Sequence, residues 1–459
     1  MESIFLDKIN HGLSKLQSRL SFITQNSSII KNIDDVTVAF MSLLLVMSTF
    51  CQTSILGGVA CVVILTSLVK LLVTPEEKIQ LSKADGALII FFLFLTFSMF
   101  NSTLPHSSLE GYLKYVIYIG YYFAIVPIFR KRKRNVLRVV LLIAALCSIE
   151  SFYALLQSKT VIAGATWQDY SYINPEDAIS RIYGSLKPYN PNLLAGYLVA
   201  GFPAVIGVAL LTIEKRHRKS FFIAICAVLV SLFAIFQTGC RGAYLALVAI
   251  LFGFMLVSYR IVFYDFAAFN HFKRLWVNIA SGIVGLGVLA LAFMPKILNR
   301  LMSIFLLRGD SSTSFRMNVY KSSWEMFIDN PIFGIGTGNQ TFREIYGLYM
   351  LTGFDALAAY SVPLEIAVET GVLGFVSFFA FVILLFVESV KYICQDQSIR
   401  GKIYVSVCIV SVLGLMTHGL FDTVFFRPQI QFVFWTIVAI LNGVLFRKEA
   451  AVEKTMECV

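Results

Sequence analysis

Residues 308–342 read RGDSSTSFRMNVYKSSWEMFIDNPIFGIGTGNQTF, and after a short interval residues 358–374 read AAYSVPLEIAVETGVLG. This is the one long polar interruption in the second half of an apolar chain. Its position between two membrane-length apolar runs decides the fold. It gathers Arg308, Arg316, Arg343, Glu365 and Glu369 where the flanking sequence has almost no charge.

Working outward, apolar runs recur at about 37–53, 54–73, 86–101, 111–129, 136–156, 192–212, 220–238, 241–260, 277–295, 361–389, 403–421 and 428–446. Each is near the roughly 20 residues that cross hydrocarbon. They predict an all-α, polytopic integral membrane protein of about twelve spans, with a large outer loop between the ninth and tenth. The narrowest separations are the Gln52-Thr53-Ser54 link and the break at Gln237–Arg241. Composition agrees: of 459 residues, 58% are hydrophobic and 14% charged, against an apolar share of roughly 45–50% in soluble domains. The formal charge of +11 sits in short basic clusters such as RKRKRNVLR (130–138) and EKRHRK (214–219). Clusters between spans suit anionic headgroups and argue against a nucleic-acid partner. Most of the 38 lysines and arginines fall on one side of the twelve-span topology, which predicts cytoplasmic termini and outward loops at 158–191 and 296–360.

One membrane domain, 36–447, is therefore expected between a cytoplasmic N-terminal segment, 1–35, and a cytoplasmic tail, 448–459. In the first segment Ile9, Leu13, Leu16, Leu20 and Ile23 recur at helical spacing among Lys8, Lys15 and Arg19. That spacing reads as an amphipathic helix on the membrane surface, or as a solvated basic tail. The eight cysteines form no CxxC pair, so they read as small buried hydrophobes and not as a disulfide framework or zinc site. No metal or cofactor is predicted.

Four stretches have residues suited to chemistry. In the outer loop, Ser311–Ser314 supply a helix start, Phe315, Val319, Tyr320, Trp324, Phe327 and Ile328 follow at amphipathic spacing, and Asp329-Asn330-Pro331 is a stop. Arg316 and Tyr320, four apart, share a face of that helix. Gly334–Gly338, GIGTG, is a glycine-rich turn that follows a helix stop and so is no dinucleotide fingerprint; it reads as a flexible reversal. In TGCRGAYLAL (238–247), Arg241 lies at the outer end of a span, where an arginine either snorkels or meets an anion, and its planar fork suits phosphate oxygens. In RIYGSLKPYNPNLLAGYL (181–198), Arg181 and Lys187 add outward charge ahead of the helix start at Asn190-Pro191-Asn192. Glu365 and Glu369 share a face of span ten, where either could serve as general base or as partner to an arginine. HGLFDTVFFRPQIQ (418–431) then brings His418, Asp422 and Arg427 back to the outer side; His418 reads as a structural residue or a catalyst.

These motifs resemble the O-antigen ligase and O-antigen polymerase superfamily. The matching residues are Arg241-Gly242, then Arg316, Trp324, Pro331, Gly334 and Gly336, then Glu369, Gly371 and Gly374, in order over residues 230–375. NPNLLAGYL, AAYSVPLEIAVETG and HGLFDTVFFRPQIQ resemble more narrowly a cyanobacterial branch once proposed as inorganic carbon transporters. The resemblance implies a ligase-like core at about 192–390. It also implies inverting, metal-independent glycosyl transfer at the outer face of a bacterial inner membrane, from an undecaprenyl-diphosphate-linked glycan to a lipid or glycan acceptor. Arg241 and Arg316 would then bind the diphosphate, with Arg181 and Tyr320 beside them and Glu365, Glu369 and Tyr360 as candidate catalytic groups. Where the ligases carry a His-Asn pair nine residues before the glutamate, this chain has Tyr360-Ser361. A tyrosine can hydrogen-bond a phosphate or acceptor, but its pKa near 10 makes it a poor base. A small-anion (bicarbonate) transporter and a non-catalytic binder of lipid-linked glycan are the alternative functions.

Overall fold

The computed structural model describes residues 2–26, 32–74, 77–158, 180–214, 217–265, 311–351, 355–395 and 397–456, with residues 167–168 and parts of 273–285. The first half holds α1 (Glu2–Asn26), α2 (Ile33–Met47), α3 (Thr53–Val73), α4 (Lys83–Asn101), α5 (Pro105–Lys131) and α6 (Lys133–Ser158). A two-residue antiparallel ladder of β1 (Trp167–Gln168) and β2 (Ser180–Arg181) follows. Next come α7 (Pro191–Glu214), α8 (Arg218–Gln237) and α9 (Arg241–Arg260). After them stand α10 (Ser311–Asp329), α11 (Asn339–Tyr346), α12 (Val362–Cys394), α13 (Ile399–Gly419) and α14 (Pro428–Met456).

Among the described residues ten helices, α3 to α9 and α12 to α14, are long and apolar enough to cross a membrane. This is a multi-pass membrane protein. Of the twelve expected spans, the first is a shorter helix: α2 has 15 residues and packs on α3 with Met41, Leu44 and Leu45 buried. The ninth, 277–295, lies largely outside the described residues. The narrow break at 237–241 is a turn, because Gly239 takes φ +63° between the end of α8 and the start of α9. Helix α1 forms over the periodic segment and docks by polar groups. Gln17 donates to the Leu71 and Glu77 carbonyls, both at 2.8 Å, and Asn10 exchanges two bonds with the Ile79 backbone.

The core gathers on α7, α13 and α14, the most enclosed spans. Phe432 and Trp435 of α14 pack against Tyr121 and Tyr122 of α5, all buried. Apolar burial and aromatic edge contacts hold this centre.

Helix α12 is broken in its interior. Gly371 has φ +68° and ψ −174°, a conformation open to glycine almost alone. The break frees backbone groups in the buried interior of a membrane-length helix, where each must find a partner. Residues 331–338 supply them: Ile335 N donates to Val368 O (2.9 Å), Gly336 N to Glu369 O (3.3 Å), and Val372 N to Pro331 O (2.8 Å). Backbones meet so closely that a Cβ on Gly371 would stand 2.1 Å from Ile332 O, and one on Gly334 2.5 Å from Glu369 O. The sequence reads 334–338 as a flexible reversal; the structure corrects this, because the turn is also bonded to α4 and α5. Ser102 Oγ donates to Ile335 O (2.8 Å), Thr337 N donates to Ser108 Oγ (2.9 Å), and Thr337 Oγ1 donates to Ser108 O (2.8 Å).

Gly371→Ala should therefore lower stability by about 2–5 kcal/mol through forced backbone and contact strain. The control is Gly86→Ala in α4, where a Cβ meets nothing within 4 Å and stability should hold or rise slightly. Melting of the detergent-purified protein checks both; equal melting of Gly371→Ala and wild type would contradict the docked break.

Candidate functional site

At the end of the bundle where the 331–338 turn sits, loops and helix ends bring together side chains far apart in sequence. Asp422, just past α13, is the hub. Its Oδ2 lies 3.6 Å from Arg316 Nη2 of α10 and accepts from Asn192 Nδ2 of α7 at 2.8 Å. Asn192 Oδ1 accepts in turn from Arg181 Nη2 at 2.5 Å, and Arg181 Nε donates to Thr238 O at 2.6 Å. Asp422 Oδ1 also accepts from Val424 N at 3.0 Å, which fixes the carboxylate against its own loop. The acid is 5% exposed and Arg316 is about a quarter exposed at its side chain. One face of the guanidinium thus stays open while the other is oriented.

Arg241 is the first residue of α9, in the turn that Arg181 grips through Thr238. The preceding Cys240 Sγ is 3.5 Å from His418 Nε2, and both are buried. This contact ties the start of α9 to the end of α13, one turn before Asp422. His418 is enclosed by this packing, as its structural reading has it.

Tyr360 stands on the approach to α12 with φ +52°, a left-handed backbone that costs a non-glycine residue energy. Two bonds hold it there: Tyr320 OH donates to Tyr360 O (3.1 Å), and Ala359 N donates to Glu365 Oε2 (3.1 Å). The Arg316 guanidinium lies 5.8 Å from the Tyr360 ring centroid, within cation–π range. Burial raises the Tyr360 phenol above its ordinary pKa; Asp422 adds to the rise and Arg316 opposes it. Burial raises Tyr320 as well, again opposed by Arg316. Both phenols are neutral donors at physiological pH.

The two carboxylates of α12 divide. Glu365 is buried and fastens the strained turn at Ala359. Glu369, 3% exposed, accepts from Gly338 N (2.8 Å) and Tyr115 OH (3.1 Å), so it fastens the glycine turn instead. Of the residues singled out in the sequence, the structure thus brings Arg181, Arg316, Tyr320 and Tyr360 into one cluster with Arg241 at its edge. It places Glu365 behind Tyr360, and Glu369 a turn deeper in the helix. Asn192 was legible only as a helix start, and Tyr115 had no signal at all.

A family model described as O-antigen ligase matches residues 226–379, from α8 into the first half of α12. The teichuronic acid biosynthesis protein TuaE of Bacillus subtilis (strain 168) is 24% identical over 290 residues, covering 60% of this chain and 55% of that protein. The chain thus matches little more than half the length of this curated relative. The stretch that matches this model, residues 226–379, contains Arg241, Arg316, Tyr360 and both α12 glutamates.

Proposed function

We propose that this protein is a membrane glycosyltransferase of ligase or polymerase type in the synthesis of a cell-envelope polysaccharide. Its donor would be an undecaprenyl-diphosphate-linked glycan at the outer face of the inner membrane, and its acceptor a lipid or glycan hydroxyl. The observation that carries this reading is the linkage of Arg181 and Arg316 through Asn192 and Asp422, beside the helix start at Arg241, with Arg241 and Arg316 inside the stretch that matches the O-antigen ligase model.

In the reaction the acceptor oxygen bonds to the anomeric carbon from the face opposite the diphosphate. The bond from that carbon to the phosphate oxygen breaks, and undecaprenyl diphosphate leaves with the electron pair. Negative charge grows on the leaving oxygens, and planar arginine forks placed beforehand stabilise it through charge-assisted hydrogen bonds. Asp422 keeps Arg316 and Asn192 in register until the diphosphate arrives. Tyr360 offers a hydrogen bond to phosphate or acceptor. Glu365 and Glu369, each already bonded to a turn, act as positioning residues, and the acceptor proton leaves to water or to a diphosphate oxygen.

A second reading, binding of lipid-linked glycan without transfer, is favoured by one observation: Tyr360 stands where ligases of the family carry histidine. Turnover separates the two.

In cells lacking the gene, lipid-linked intermediates should accumulate, and the wild-type gene should clear them. Arg316→Ala and Arg241→Ala should insert in the membrane and fail to clear them. Normal glycan from either variant, or an unchanged profile in every strain, would overturn the proposal; the latter would turn attention to anion flux.

Positioning and base roles for the acidic residues are separable. Glu369→Gln keeps an acceptor for Gly338 N and should retain activity within about tenfold, whereas loss of a general base costs about 10²–10⁴-fold. Asp422→Ala should lower turnover about ten- to a hundredfold, the worth of a hydrogen bond to a charged group, with partial rescue by Asp422→Glu. Glycan output per unit of membrane-inserted protein reads both.

A further inference from the structure

A second feature lies at the other end of the bundle. The proposed site abuts the C-terminal end of α4 and the start of α5. Around the start of α4, the C-terminal ends of α3 and α5 and the inner face of α1 there is instead a cavity of about 1270 Å³. Its walls are apolar, with Ile64, Leu68, Ile90 and Phe123 among them. Leu68 and Ile90 are each about half exposed, so the cavity opens sideways, where the acyl chains of a bilayer would be. Leu6 and Ile9 of α1 form its lid, which the Asn10 and Gln17 hydrogen bonds tether to residues 71–79.

Charge is concentrated at one rim and does not cancel. Asp34 pairs with Lys70 at 2.5 Å, Glu77 takes Lys70 at 3.4 Å and Lys131, and Asp85 takes Arg130 at 2.7 Å. The lining carboxylates are thereby committed. Lys78 and Lys83 also line the cavity, are exposed, and have no carboxylate partner among the described residues. Arg130 is committed as well, to Asp85, Asn442 Oδ1 (2.8 Å) and the Gln80 carbonyl. An apolar slot open to the bilayer and headed by two exposed lysines with no carboxylate partner among the described residues matches one ligand class. The geometry points to a bound anionic phospholipid, with its phosphate at Lys78 and Lys83 and its acyl chains along α3, α4 and α5. Basic pockets between membrane helices are recognised lipid-headgroup sites. The tethered α1 would close over the headgroup.

The test uses the full-length protein purified in detergent, with native mass spectrometry as readout and three probes: phosphatidylglycerol, phosphatidylcholine of the same chains, and inorganic phosphate. Phosphatidylglycerol should bind at least about tenfold more tightly than phosphatidylcholine, with phosphate alone not retained. Lys78→Ala/Lys83→Ala should lose about fivefold in phosphatidylglycerol affinity per lysine removed. Gly86→Phe, which builds a ring into the cavity from a position where a Cβ meets nothing within 4 Å, should exclude the lipid with the helix intact. Equal binding of the two lipids, binding indifferent to both variants, or retention of phosphate alone would overturn the assignment.

Discussion

The exchange of hydrogen bonds between the broken span and the 331–338 turn is the constraint on which the rest depends. At membrane depth an unpaired backbone group costs several kcal/mol, so a helix cannot open at Gly371 unless something else supplies donors and acceptors. The turn does so with Ile335 N, Gly336 N and Pro331 O, and two of its own amides are satisfied in return by the carbonyls of Val368 and Glu369. The polar loop and the span are therefore one folding unit. Because α10 precedes the turn and Tyr360 precedes the span, docking the turn also sets where Arg316 and Tyr360 stand.

This arrangement explains why buried acids are tolerated. A lone carboxylate in an apolar interior is expensive, but one that accepts several bonds is not. Glu365, Glu369 and Asp422 each accept from backbone amides: Ala359, Gly338 and Val424 respectively. Each fixes a turn whose neighbours face the proposed site. Asp422 differs from the other two in also meeting a guanidinium. A diphosphate arriving at the cluster would meet Arg316 on the side that Asp422 leaves open, with the arginine's orientation already determined. Ordering the cation before the ligand arrives lowers the cost of binding and of charge stabilisation alike.

Much of this was legible in the sequence because it is written locally. Pro191 does begin a helix, Asp329 does end one, and Arg241 does stand at the first residue of its span. The length of the apolar runs located the ten membrane-length helices among the described residues for the same reason. What could not be read was written across distance. Asn192 meets Asp422, Ser98 meets Glu369 and Ser108 meets Thr337, each over more than two hundred residues, and no local pattern marks such pairs. The spacing of Glu365 and Glu369 correctly predicted two acids on one helix, yet each serves a different turn. Gly371 entered the sequence reading only as a matching motif residue, because the backbone of Ile332 that meets it at the break comes from a distant part of the chain.

The central claim is that the arginine cluster receives a polyprenyl diphosphate. The most direct measurement is equilibrium binding of undecaprenyl diphosphate to the purified protein, compared with undecaprenol, for wild type and Arg316→Ala. The account predicts that wild type binds the diphosphate well above the alcohol and that the variant loses about ten- to a hundredfold of that preference. Equal affinity for diphosphate and alcohol, or an unchanged preference in the variant, would contradict it.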